Sequence, residues 1–244
     1  MNRRSFLKKS ALAGAGLTVC QQFYAQDIAE PLSYDELIGK GEPKLYGDGF
    51  KLRKQAYDAF VKLSAEALKS DINIQVVSSY RNFSHQNRIW ERKYKQYTNR
   101  GLSGIDSIIK IIDYSTIPGT SRHHWGTDLD LIDGNVKQPK NVLNPAHFEN
   151  SGCFSSFKTW MDVNASDFGF YLVYTNTEQR KGFKYEPWHY SYQPLSKSYL
   201  SAYRKFNLKD IVTSEKLMGS DHFSEAFITT YYNENILDIN PALL

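Results

Sequence analysis

The chain has 244 residues, 41% of them hydrophobic and 23% charged, with a formal net charge of +4 and a mean hydropathy of -0.52. That length suits one well-filled core with a short leader, and the hydropathy excludes a protein of many membrane spans. Arg3, Arg4, Lys8 and Lys9 are the only charged residues up to Ala25, so without them the net charge falls to about zero (+4 minus 4). No bulk charge is left to attract nucleic acid, and none is expected as a partner.

Residues 1–25 read as an export leader: a basic start, then a small apolar stretch from Ala11 to Val19 that is too short for the ~20 residues of a membrane span. Asn2-Arg3-Arg4-Ser5-Phe6-Leu7-Lys8-Lys9 resembles the twin-arginine motif, whose pathway carries folded proteins. Cleavage after Ala25 competes with a lipobox-like Leu17-Thr18-Val19-Cys20, so a free and a lipid-anchored exported form are both compatible with the sequence. A periplasmic or cell-envelope location is expected, with no transmembrane helix in the mature chain. Cys153 stands alone after the leader, which leaves no disulfide framework and no cysteine zinc site.

After a lead of 26–49, apolar residues Leu52, Ala56, Phe60, Leu63 and Leu68 recur at helical spacing between Phe50 and Ser70. Ile72 to Ser78 alternates and carries β-formers, so a strand should deliver Ser79, Tyr80 and Arg81 at its end. A helix is predicted from an N-cap at Ser84 to about Tyr97, another over Ile105–Ile112, and a turn at Pro118-Gly119-Thr120. Asp128-Leu129-Asp130-Leu131 predicts a strand with both carboxylates on one face and both leucines on the other. Further elements are a helix over Phe154–Val163, strands over Phe168–Tyr174 and Tyr185–Tyr192, and a helix over Ser196–Phe206. The tail 207–244 should be helical padding. The pattern is α+β, with a catalytic segment over 50–206.

A hydrolytic zinc site takes three ligands from His and Asp/Glu and leaves a place for water. Ser121-Arg122-His123-His124-Trp125-Gly126-Thr127-Asp128-Leu129-Asp130 offers histidines and carboxylates around a glycine, and Glu186-Pro187-Trp188-His189 adds a carboxylate and a histidine. Together they supply three ligands and a base. Glu186 and His189 would face opposite ways on a regular strand, so the chain is expected to bend at Pro187, which has no N–H to give a sheet.

The two segments resemble the S-x-H-x-x-G-x-A-x-D and E-x-W-H motifs of the D-alanyl-D-alanine carboxypeptidase family of VanY type, relatives of the hedgehog-like zinc peptidases. Ser121, His123, Gly126 and Asp130 match the first and Glu186, Trp188 and His189 the second; Ser78, Tyr80, Arg81 and Gln86 match a third, S-x-Y-R-x-x-x-x-Q. The resemblance implies a small, mostly antiparallel central sheet with flanking helices. It implies that His123, Asp130 and His189 hold Zn2+, with Glu186 as general base and Arg81 stabilising the oxyanion or anchoring a carboxylate. Ser121, Gln86, Trp188 and Tyr80 would contact the substrate, a peptidoglycan stem peptide, and a monomer is favoured. The register favours His123 over the adjacent His124, which is read as a surface or supporting group. Asp128 replaces the family's usual Ala, and is read as an acceptor behind a ligand His, the alternative being a competitor for the metal. The leading expectation is removal of terminal D-alanine, followed by LD-carboxypeptidase or endopeptidase activity on the same zinc site. The third is a non-catalytic wall-binding protein, against which the intact Glu186 argues.

Overall fold

The computed structural model describes residues 32–244. The expected leader, with Arg3, Arg4 and Cys20, lies outside the described residues. Among those described, no helix is long and apolar enough to cross a membrane.

Helix α1 (Tyr34–Leu37) is capped by the Ser33 hydroxyl and buries Leu37, with Ile38 beside it. From Leu32 onward the lead is thus part of the folded unit. Helix α2 (Lys54–Leu68) buries Ala56, Phe60 and Leu63 as its periodicity announces, but its last turn buries Ala67 and leaves the expected Leu68 exposed. It feeds strand β1 (Ile74–Ser78). Helix α3 (Phe83–Thr98) starts earlier than the Ser84 cap anticipates, because the Asn82 side chain accepts from the His85 N–H at 2.8 Å and takes the capping position. Helix α4 (Gly104–Ile111) follows, capped by Ser103.

Strand β2 (Asp128–Asp133) is the buried centre of a four-stranded antiparallel sheet in the order β1-β2-β4-β3, completed by β3 (Phe170–Leu172) and β4 (His189–Tyr192). Helix α5 (Ser155–Asn164) precedes β3. The sheet splits the core. Leu129, Leu131 and Tyr190 point to a rear cluster with α2 and with Phe157 and Met161 of α5. The strand expected over Tyr185–Tyr192 forms only from His189. Glu186 to Trp188 make a turn instead, closed by the His189 N–H on the Glu186 carbonyl at 3.1 Å, as the proline foretold.

Helix α6 (Gln193–Tyr203) begins before the expected Ser196, since Pro194 fits a first helical turn where its missing N–H costs nothing. The tail forms α7 (Leu208–Thr213), α8 (Glu225–Tyr231) and a wider turn over Tyr232–Ile236. It is more than padding: Ile211, Val212, Phe223, Tyr231 and Leu243 belong to a second cluster with Trp90, Trp125 and Tyr174.

Candidate functional site

Antiparallel pairing sets Asp128 opposite Ser191 and Asp130 opposite His189. Paired residues of neighbouring strands share a face, so four polar side chains stand together on the side of the sheet away from Leu129, Leu131 and Tyr190. His123 joins them from a tight turn, Arg122–Trp125, which ends at Gly126 with φ 68. That left-handed backbone favours glycine, and a Cβ there would also meet Leu45 at 2.8 Å.

Each imidazole has one nitrogen committed and one directed inward. His123 Nδ1 donates to the Ser79 carbonyl at 2.8 Å, which turns Nε2 toward Asp130 Oδ1 at 3.5 Å. His189 Nε2 lies 3.0 Å from Asp128 Oδ2, which leaves Nδ1 facing Glu186 Oε2 at 3.0 Å and Asp130 Oδ1 at 3.9 Å. One ligand atom from each of His123, Asp130 and His189 falls within 4.8 Å of the others, and all three residues are buried. Asp130 Oδ1 is itself buried without a hydrogen-bond partner. A buried carboxylate oxygen so left is costly. Two imidazoles and a carboxylate around it form the donor set of a hydrolytic zinc site, so the residues present fit such an ion.

Asp128 sits behind this trio, fully buried. It accepts from Arg122 Nε at 2.9 Å, Thr127 Oγ1 at 2.7 Å and Ser191 Oγ at 2.6 Å as well as pairing with His189. Burial would raise its pKa, but the Arg122 guanidinium and His189 hold it well below the usual carboxylate range. Burial opposes a charge on His189, yet the hydrogen bonds to Asp128 and Glu186 push its pKa up to about 9. Burial also raises the Glu186 carboxyl, against the pull of His189. Arg81 loses some affinity for its proton to burial and is held charged by Asp130 and Glu186.

A cleft of about 890 Å³ opens over this centre. His123, Asp130, His189, Glu186, Arg81, Ser121 and Trp188 all line it, so the structure brings these expected site residues together. Ser121 Oγ and Arg81 Nε are buried there without a hydrogen-bond partner. Gln86 and Tyr80 are not in the lining: Gln86 is buried and donates from Nε2 to the Thr116 carbonyl at 2.9 Å, and Tyr80 is half-buried elsewhere. His85, His147 and His222 also lie away from it.

Of the two places that motif reading left open for His124, surface or supporting group, burial excludes the surface, and Arg122 gains a place that the motifs did not give it. His124 is fully buried, its Nδ1 2.6 Å from the Arg81 carbonyl and its Nε2 accepting from the Gly119 N–H, and burial lowers its pKa to about 3. Nothing local signals this, because Gly39, against whose backbone the ring packs, is remote in sequence. Arg122 is the buried counter-ion of Asp128. An extra acid where the family has Ala was the available hint that a cation must accompany it.

The D-alanyl-D-alanine carboxypeptidase model, VanY, matches residues 49–195. An uncharacterized protein of Haemophilus influenzae is 31% identical over 107 residues, covering 43% of this chain and 82% of its own. The bifunctional D-Ala-D-Ala dipeptidase and D-Ala-D-Ala carboxypeptidase VanXYC of Enterococcus gallinarum is 31% identical over 147 residues, 60% of this chain and 68% of its own. Among solved structures, VanYB in complex with D-Alanine-D-Alanine superposes with a TM-score of 0.52 at 22% identity, over 72% of this chain and 92% of that one. A vancomycin-resistance D,D-pentapeptidase VanY variant in complex with Zn(II) gives 0.51 at 20% identity, over 70% and 90%. These two share the fold. With the family model spanning more than half of its length, the chain belongs to the VanY family of D-alanyl-D-alanine carboxypeptidases and is a peptidase.

Proposed function

We propose that this protein is an exported zinc-dependent carboxypeptidase that removes the terminal D-alanine of peptidoglycan stem peptides. The observation that carries the reading is the orphaned Asp130 Oδ1, buried between His123 and His189 with Glu186 hydrogen-bonded to one of them. His123 through Nε2, His189 through Nδ1 and Asp130 through Oδ1 would hold the ion. Zinc, when bound, supplies Lewis acidity that activates water and polarises the scissile carbonyl.

The chain's own groups do the rest. Glu186 takes a proton from the attacking water and returns it to the departing amine. Its burial raises its carboxyl toward the working pH, where one group can do both. Arg81 keeps its charge and lines the same cleft, so it stabilises the negative charge that develops on the carbonyl oxygen. Asp128 accepts from His189 Nε2 and thereby fixes which nitrogen faces inward. Ser121 offers an unsatisfied hydroxyl to the substrate, and the Trp188 ring forms part of the wall. VanYB has been solved with D-Alanine-D-Alanine, which supports the same peptide end as substrate here. The basic start ahead of a short apolar stretch supports export.

Purified protein should contain about one zinc per chain and release D-alanine from a muramyl pentapeptide in a chelator-sensitive manner. Release of a dipeptide, or cleavage of cross-linked muropeptides only, would reassign the bond that is cut. Zinc-loaded protein that binds pentapeptide without cutting it would overturn the enzymatic reading.

A further inference from the structure

A carboxypeptidase must recognise a chain end, and one wall of the cleft carries a cation that the mechanism above does not use. Lys93 comes from α3, lines the cleft with Glu186 and is half-buried. Its ammonium donates to Ser115 Oγ at 2.6 Å and, among the described residues, makes no ion pair. An ammonium has three donors and favours a counter-ion when it leaves bulk water, so one neutral hydroxyl leaves it short of partners. Next to Ser115, Thr116 also lines the cleft, and its hydroxyl is buried with no hydrogen-bond partner. One cation and two hydroxyls, each with a proton left to donate since Ser115 Oγ only accepts from Lys93, form a receptor for a carboxylate.

The place of this receptor decides which carboxylate it takes. The Tyr114 ring, next to Ser115, lies against the Trp188 ring with centroids 6.4 Å apart, two residues from Glu186, and the Lys184 N–H donates to the Asp113 carbonyl at 2.9 Å. Lys93 therefore belongs to the Glu186 side of the cleft. Glu186 is the group that protonates the leaving amine, and in a peptide cut at its last bond that amine and the terminal carboxylate share one carbon. We propose that Lys93, with the hydroxyls of Ser115 and Thr116, anchors the free C-terminal carboxylate of the peptide, and so confines cleavage to the chain end. This rests on the carboxypeptidase reading above.

The test compares an acyl-L-Lys-D-Ala-D-Ala peptide as free acid and as C-terminal amide, using the zinc-loaded full chain. Wild type should prefer the acid by about 10- to 150-fold in kcat/KM, the range for a hydrogen bond to a charged group. Lys93→Met should lose that preference mainly through KM of the acid, and Lys93→Arg should retain most of it. The proposal is overturned if Lys93→Met loses activity equally on both peptides and keeps the wild-type ratio, or if wild type cuts acid and amide alike. Wild type that cuts neither peptide overturns the carboxypeptidase reading, and the anchor falls with it.

Discussion

The Asp128–Arg122 pair gives the sharpest test of how the centre is held. Arg122 is 5% exposed and Asp128 0%, so Asp128→Ala leaves a guanidinium in the interior without its counter-ion. Breaking a buried pair from one side costs about 3–5 kcal/mol, out of a total of about 5–15 kcal/mol for a typical protein. At roughly 2–4 °C per kcal/mol for a domain of this size, the melting point should drop by about 6–20 °C. Arg122 also donates to Ser191 Oγ at 2.7 Å and lies over the Trp125 ring at 4.7 Å, an environment that accepts an apolar side chain. Adding Arg122→Met to Asp128→Ala should therefore recover most of the loss, since an apolar replacement of the whole pair is close to neutral. Urea unfolding in chelator measures both variants without interference from metal. Zinc affinity should behave differently, falling about 10- to 100-fold in the single and in the double variant, because neither retains the acceptor for His189. A single variant that loses under ~1 kcal/mol, against the buried-pair cost, or a double variant no more stable than the single, would refute the reasoning.

Glu186→Gln should slow turnover by about 10²- to 10⁴-fold while metal analysis still finds zinc; loss of the zinc would instead make Glu186 a ligand. Chelation should abolish activity and zinc should restore it, and added zinc at about 100 times its dissociation constant should stabilise the fold by about 2.7 kcal/mol in calorimetry. Asp238 accepts from the Lys181 and Gly182 N–H groups at 2.7 and 3.4 Å, and Arg180 donates to its carbonyl at 3.0 Å. Asp238→Ala should cost about 1–2 kcal/mol and speed limited proteolysis between Thr175 and Phe183, with the zinc content unchanged.

The grouping of His123, Asp130 and His189 with Glu186 was legible because its chemistry is written in residue type: a histidine and a carboxylate around Gly126, and a Glu and a His on either side of a proline. The carboxylate–leucine alternation of Asp128 to Leu131 was legible for the same reason that any half-polar strand is, since its period is two. The cap of α3 was misplaced because Asn82 and Ser84 are both good caps and only the helix register decides between them. What periodicity does not report is contact over long separations. The Tyr231 hydroxyl bonds Thr120 Oγ1 at 2.8 Å and the Ile117 N–H at 3.1 Å, bracing the turn before the histidines from the far end of the chain. Gln86, which the motif assigned to substrate contact, holds the Thr116 carbonyl beneath the cleft wall. Both are facts of packing, and the local pattern around either residue is silent about them.

The pairing of Asp130 with His189 across the two central strands carries a consequence for folding. Side chains alternate faces along a strand, so a slip of one residue would turn Asp130 toward the rear cluster and bring Leu129 or Leu131 to the histidine. A sheet assembled out of register would not bring Asp130 to His189. On the proposed metal reading, only chains whose middle strands are aligned would take up the ion, and the bound ion would then hold that alignment in place.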